Sequence, residues 1–125
     1  MIKIGVCGFG TVGQSFVNHV LAYKEKIIKN CGRDICISII ADRSIERKKF
    51  KTESIEFTSD ILSVLDSDCD LVVELIGGTD LAYDLVKGAI SKKKSVITAN
   101  KALIAEKGED LFELSNKQNL SLIHI

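Results

Sequence analysis

The stretch that decides the fold is Ile2–Gly13, with the sequence IKIGVCGFGTVG. Its first half, Ile2–Cys7, is a short apolar run typical of a buried strand. Its second half, Gly8–Gly13, fits the pattern G-x-G-x-x-G, and the segment after it carries apolar residues at helical spacing. Together they predict a strand, a tight glycine turn and a helix. In that setting the free amides and partial positive charge of the helix N-terminus bind the pyrophosphate of a dinucleotide.

Each glycine of this loop has its own physical reason. Gly8 permits the tight strand-to-helix turn, Gly10 lets the pyrophosphate approach the backbone, and Gly13 lets the helix pack close to the sheet. The same pattern can also serve as a turn that only permits packing. We predict that the loop contacts the cofactor through all six residues: Gly8, Phe9, Gly10, Thr11, Val12 and Gly13.

Short apolar runs alternate with helical patterns along the rest of the chain. One helix is expected over 11–29, ended by Gly32, and a small helix is expected over 59–65, capped by Ser59. Further strands are expected over 35–41, 55–57, 70–76, 95–98 and 120–125, and further helices over 81–90 and 109–117. This alternation predicts an α/β fold, a doubly wound parallel sheet of about six strands with helices on both faces, formed by a single domain over 1–125.

The composition narrows the class of protein further. Seventeen basic residues balance 17 acidic ones, which gives no electrostatic case for nucleic acid or a membrane surface. No apolar run is long enough to span a bilayer, and we expect no signal peptide because the sequence opens directly into a strand. The 4 cysteines lack C-x-x-C spacing, so we expect reduced thiols, no metal site and a cytoplasmic location.

The end of the second strand bears on which nicotinamide cofactor is bound. Asp42 could bind the ribose hydroxyl of NAD, and Arg43 could favour the 2′-phosphate of NADP. A basic run, Arg47–Lys49, follows and is typical of a solvated loop. The sequence slightly favours Asp42 as the ribose contact and leaves NAD or NADP open.

Two further blocks lie at the expected carboxyl ends of strands, where this fold places its ligand crevice. In the first, Glu74 precedes the pair Gly77 and Gly78, whose backbone can lie against the cofactor. The second contains Thr98, Ala99 and Asn100, which we predict to contact the cofactor, and Lys101. Asn100 and Lys101 would put an amide and a cation near the reactive end of the nicotinamide. Glu74 lies within an apolar strand, so it is either at the crevice rim or, as we favour, in a structural role.

These blocks, together with the glycine loop, resemble homoserine dehydrogenase. The resemblance runs over 4–122 and depends most on VELIGG at 73–78 and TANKAL at 98–103. It implies an NAD(P)-binding domain of an enzyme that interconverts L-homoserine and L-aspartate 4-semialdehyde, in threonine, methionine and isoleucine synthesis. It also implies that Lys101 is catalytic, either shuttling a proton with the substrate hydroxyl or polarising the carbonyl oxygen.

The family also has a substrate-binding and dimerisation domain to which nothing in this sequence corresponds. We therefore expect that this chain binds cofactor with little turnover, and that the full enzyme is a homodimer. Two alternatives stay open: a non-catalytic nucleotide-sensing domain, and another NAD(P)-dependent semialdehyde-handling enzyme or reductase of the same fold.

Overall fold

The computed structural model describes residues 1–45 and 54–125, and within them six strands form one sheet. All pairs are parallel, and the spatial order is β3-β2-β1-β4-β5-β6. The strands are β1 (Ile2–Cys7), β2 (Ile35–Ala41), β3 (Glu56–Thr58), β4 (Leu71–Glu74), β5 (Ser95–Thr98) and β6 (Leu122–His124). The order reverses between β1 and β4, as in the dinucleotide-binding version of the doubly wound fold.

Within the parts of the chain that the structure describes, four α-helices and a 3₁₀ helix cover this sheet. The α-helices are α1 (Thr11–Ala22), α2 (Lys24–Cys31), α3 (Asp80–Ser91) and α4 (Lys101–Lys117), and the 3₁₀ helix is Ile61–Asp66. None of the helices in the described parts of the chain has the length and apolar character needed to span a bilayer.

The core consists of two apolar clusters, one on each face of the sheet. Successive side chains of a strand point to opposite faces, and β4 shows this directly. Val72 belongs to the cluster with Leu85 and Ile90 of α3, whereas Val73 belongs to the cluster with Val17 of α1. The uninterrupted apolar strands of the sequence are therefore explained by burial on both faces.

The first helical segment differs from the expectation of a single helix over 11–29. The backbone leaves the helical region at Tyr23, with φ −114° and ψ 23°, and divides the segment into α1 and α2. Gly32 ends α2 in the left-handed conformation, as predicted. Two apolar residues of this segment are exposed, Val12 by 62% and Leu21 by 42%.

Two other helix boundaries were predicted wrongly. Ser59 does not cap the short helix, which is 3₁₀ and starts after Asp60 without a side-chain cap bond. The last helix, expected over 109–117, begins already at Lys101. It continues through Gly108, which is buried against Ile104, so this glycine permits close packing and does not break the helix. Phe112, an apolar residue of this helix, is 38% exposed.

Candidate cofactor site

The loops after β1, β2, β4 and β5 lie at one edge of the sheet because the strands are parallel and in register. Cys7 is opposite Ala41 on one side and Glu74 on the other, and Glu74 is opposite Thr98. The residues that follow these positions therefore come together. They include the glycine loop (Gly8–Gly13) and most other site residues predicted from the sequence.

Two of the three glycines are required by the protein's own backbone. Gly8 has φ +103°, and a Cβ atom there would lie 2.6 Å from the carbonyl oxygen of Leu75. A Cβ on Gly13 would lie 2.0 Å from the carbonyl oxygen of Gly8. Both contacts are with backbone, which cannot rotate away. These glycines thus allow β1, α1 and the loop after β4 to meet closely.

Gly10 is different, because a Cβ there would meet nothing within 4 Å. The first intrahelical bond of α1 is donated by Gln14 to the carbonyl of Gly10, at 2.9 Å. The amides over 10–13 precede this bond and so have no acceptor within the helix. Gly10 therefore leaves an open approach to a set of amides at the positive end of a helix, which suits a pyrophosphate group.

Phe9 and Asp42 connect this loop to the end of β2. Phe9 is fully buried, so its side chain cannot reach a ligand. Its amide donates to Oδ2 of Asp42 at 2.7 Å, and Oδ1 of Asp42 accepts from the amide of Ser44, also at 2.7 Å. Arg43 is exposed at the same strand end. The basic run Arg47–Lys49 lies outside the described residues.

A cleft of about 520 Å³ opens beside the glycine loop. Six predicted residues line it: Gly8, Gly10, Asp42, Arg43, Gly77 and Gly78. Apolar side chains that the sequence analysis did not select complete its wall: Ile61, Leu75, Ile76 and Leu81. An apolar wall beside polar loops suits a flat base attached to a ribose and phosphates. The residues present therefore fit a dinucleotide.

A second, smaller cavity of about 190 Å³ adjoins this cleft, since Leu75 and Gly77 line both. Its lining also includes Val12, Ala99 and Asn100, so the exposed Val12 stands at this cavity and not in the core. Glu74 also lines it, although its side chain is fully buried. Gly10 lines the cleft and Val12 lines the smaller cavity, so the glycine loop contributes to both.

Glu74, Thr98 and Asn100, together with the Gly78 carbonyl, form a polar cluster beneath this second cavity. The Thr98 hydroxyl donates to Oε1 of Glu74 at 2.6 Å and accepts from the Asn100 amide at 3.0 Å. Oε2 of Glu74 accepts from the Ile76 amide at 3.0 Å. The Asn100 side chain donates to the Gly78 carbonyl. The expected structural role of Glu74 agrees with these contacts, which tie the loop after β4 to the loop after β5.

The Asn100 side chain has a second function as the N-cap of α4. Its Oδ1 accepts from the Leu103 amide at 3.0 Å, which satisfies one of the free donors at the helix start. The side chains of Thr98 and Asn100 are thus engaged within the protein, whereas Ala99 and Lys101 are exposed. Of the TANK block, only Lys101 presents a charged side chain to solvent at this edge.

Cysteine chemistry does not contribute a nucleophile at the end of β1. Cys7 is fully buried and free, and its burial, with smaller effects of nearby Cys69 and Glu74, raises the pKa of the thiol well above its ordinary value. A protonated thiol is a poor nucleophile. Within 1–45 and 54–125, no group of His, Cys, Asp and Glu side chains is arranged to hold a metal ion.

The fold, the glycine loop and the paired cavities define a dinucleotide-binding domain of the Rossmann class. A family model described as "Homoserine dehydrogenase, NAD binding domain" matches residues 8–124. The chain belongs to this family. The match confirms the resemblance found in the sequence and the expected class of cofactor, NAD or NADP, and it favours the dehydrogenase over the sensor and the other reductases.

Similar proteins agree with this assignment. The homoserine dehydrogenase of Pseudomonas aeruginosa is 41% identical over 120 residues, which are 95% of this chain and 27% of that protein. That of Neisseria gonorrhoeae is 40% identical, with 95% and 28% covered. Among solved structures, the homoserine dehydrogenase of Thiobacillus denitrificans superimposes with a TM-score of 0.91 at 32% identity, over 98% of this chain and 29% of that one. The S. aureus enzyme gives 0.88 at 30% identity, over 98% and 31%. The chain thus spans less than a third of these relatives.

Proposed function

We propose that this chain holds NAD or NADP for a homoserine dehydrogenase reaction, the interconversion of L-homoserine and L-aspartate 4-semialdehyde. The observation that carries the proposal is the open face of Gly10 above the amides over 10–13, beside a cleft of about 520 Å³. A glycine that packing does not require, at the positive end of a helix, is explained by a ligand that needs the space.

The proposed contacts divide along the length of the cofactor. The glycine loop binds the pyrophosphate, and the cleft with Asp42 and Arg43 receives the adenosine half. Gly77, with Ala99 and Asn100, borders the nicotinamide half, Gly78 lines the adenosine cleft, and the buried Thr98 supports the loop from below. This division is supported by the linings of the two cavities, since Gly10 lines the cleft and Val12 lines the smaller cavity.

Lys101 is the proposed catalytic residue. It is exposed, it is the first residue of α4, and Asn100 beside it is fixed by two side-chain bonds. The bound nicotinamide supplies or accepts the hydride in such a reaction. The Lys101 ammonium can exchange a proton with the substrate hydroxyl or stabilise negative charge on the carbonyl oxygen.

The substrate side of the reaction needs residues beyond these 125. Since the chain covers only 27% of the Pseudomonas relative, we propose that homoserine and semialdehyde are bound by a further domain, which also forms a homodimer. The proposed setting is the synthesis of threonine, methionine and isoleucine in the cytoplasm. The 125-residue chain is expected to bind cofactor without turning over homoserine.

Titration with NADH and NADPH, followed by nicotinamide fluorescence, tests the proposal. The wild-type chain is expected to bind at least one of them. Gly10→Leu is expected to weaken binding by about 100-fold, because its side chain occupies the pyrophosphate position. Ser15→Leu, at an exposed position one turn further along α1, is the matched control and should bind as wild type. Absence of binding by the wild-type chain, or normal binding by Gly10→Leu, would contradict the proposed site.

A further inference from the structure

Asp42 is the acid at the end of β2 that the sequence favoured as the ribose contact, but its carboxylate is already engaged by the protein. Oδ2 accepts from the Phe9 amide and Oδ1 from the Ser44 amide, both at 2.7 Å. The Asp42 amide donates to the Thr58 carbonyl at 3.0 Å. Bonds from amides to a carboxylate are shorter and stronger than neutral ones, so they fix this side chain in place.

The register of the sheet explains why Asp42 reaches the glycine loop. Ala41 is opposite Cys7, and the Gly8 amide donates to the Ala41 carbonyl at 2.8 Å. This pairing places Asp42, the residue after Ala41, beside the loop that begins at Gly8. Asp42 is separated from Phe9 by 33 positions in the chain, yet the strand pairing places its carboxylate directly on the Phe9 amide.

Phe9 is held through both its backbone and its ring. Its amide donates to Asp42, its carbonyl accepts from the Gln14 side chain at 3.0 Å, and its buried ring contacts Phe57 edge-on at 6.3 Å. The residue after it, Gly10, is the first of the amides that face the proposed pyrophosphate. The position of those amides therefore depends on the Asp42 carboxylate.

We infer that Asp42 is a positioning residue, which orients the glycine loop through Phe9 and so affects how tightly the loop binds the pyrophosphate. NAD and NADP share that pyrophosphate, and they differ only in the 2′-phosphate of the adenosine ribose. Asp42 then contributes equally to the binding of both. The distinction between them falls on Arg43, which is exposed and lines the same cleft. The inference rests on the proposed function.

The variant Asp42→Glu separates the two roles without changing the charge. Dinucleotide-binding domains use either Asp or Glu to bind a ribose hydroxyl, so a ribose contact tolerates this change. A positioning contact does not, because the longer side chain cannot keep both 2.7 Å bonds. Dissociation constants for NADH and NADPH are expected to rise together, each by about tenfold, with their ratio constant within about twofold.

Asp60→Glu is the matched control, since Asp60 is an exposed acid without a side-chain cap bond, and it should bind both cofactors as wild type. Unchanged NADH affinity in Asp42→Glu, or a loss confined to one cofactor, would overturn the inference. Failure of the wild-type chain to bind either cofactor would be a different result, and it would contradict the proposed function itself.

Amide hydrogen exchange of the wild-type chain gives a second measurement, which does not depend on the folding of a variant. If Asp42 positions the loop, the Phe9 amide stays hydrogen-bonded and protected both with and without NADH. If Asp42 turns to bind the ribose, the Phe9 amide loses its acceptor, and its protection falls when NADH binds. The first outcome supports the inference and the second overturns it.

Discussion

The glycine loop and the polar cluster lie at the same edge of the sheet, but they are built by opposite means. In the glycine loop the absence of side chains matters: Gly8 and Gly13 meet backbone, and Gly10 faces open space. In the polar cluster the side chains of Glu74, Thr98 and Asn100 bond to one another and to backbone. The first region presents its polar groups to a ligand, whereas the second uses them to hold loops.

The comparison shows that a sequence block typical of a family need not be a block of ligand contacts. Thr98 and Asn100 are buried and satisfied within the protein, and they fix the start of α4, where Lys101 is exposed. They would assist a reaction at this edge by fixing the positions of neighbouring residues. The two regions should therefore respond differently to substitution, in stability or in reactivity.

The largest effect is expected for Gly13→Ala. The added Cβ would lie 2.0 Å from the Gly8 carbonyl oxygen, and neither backbone segment can move without displacing β1 or α1. We expect the free energy of unfolding, measured in urea, to fall by about 3 kcal/mol or more. Gly10→Ala is the control, and its stability should stay within about 1 kcal/mol of wild type because nothing lies within 4 Å of its Cβ. Equal stabilities of the two variants would remove the distinction between packing and ligand glycines.

A smaller loss is expected for Thr98→Val in the polar cluster. Valine keeps the shape of threonine but removes the hydroxyl, so the buried Glu74 loses a donor at 2.6 Å and the Asn100 amide loses an acceptor. Leaving buried polar groups without partners is expected to reduce the free energy of unfolding by about 2 kcal/mol. Thr98→Ser keeps both bonds and should lose about 1 kcal/mol, from the missing methyl group. A valine variant at least as stable as the serine variant would show that the cluster does not stabilise the loops.

The difference between the two regions also explains what the sequence could predict. The strand–loop–helix unit over 2–13 was predicted because its constraints are local: an apolar run, then glycines at fixed spacing, then a helical pattern. The strand over 95–98 was predicted with the observed bounds. The bonds of Glu74 were not predictable, because they depend on the pairing of Glu74 with Thr98 across two strands that are 24 positions apart.

The misplaced start of α4 has a different cause. Gly108 looks like a break in the helical pattern, but the helix runs through it, and its side-chain neighbours belong to the same helix, such as Ile104 one turn earlier. Asn100 supplies the cap that starts this helix early. The apolar wall of the cleft was missed because its residues are distant in sequence. Ile61 and Leu81 belong to separate helical segments that meet only in the folded chain.

The smallest expected effect concerns the reactivity of Lys101, which follows the polar cluster in the chain. If the nicotinamide half lies beside the loop after β5, bound NADPH should shield the Lys101 ammonium and slow its acylation by a small amine-reactive reagent by about threefold or more. Lys107 is the internal control, because it is exposed on the same helix and its ammonium lies 5.5 Å from the Tyr83 ring, so its rate should not change. Peptide mass spectrometry measures both rates in one sample. ADP-ribose, which lacks the nicotinamide, should leave Lys101 as reactive as in the free protein. Equal protection by ADP-ribose and NADPH would place the nicotinamide elsewhere, and it would leave Lys101 without the contact that its proposed role requires.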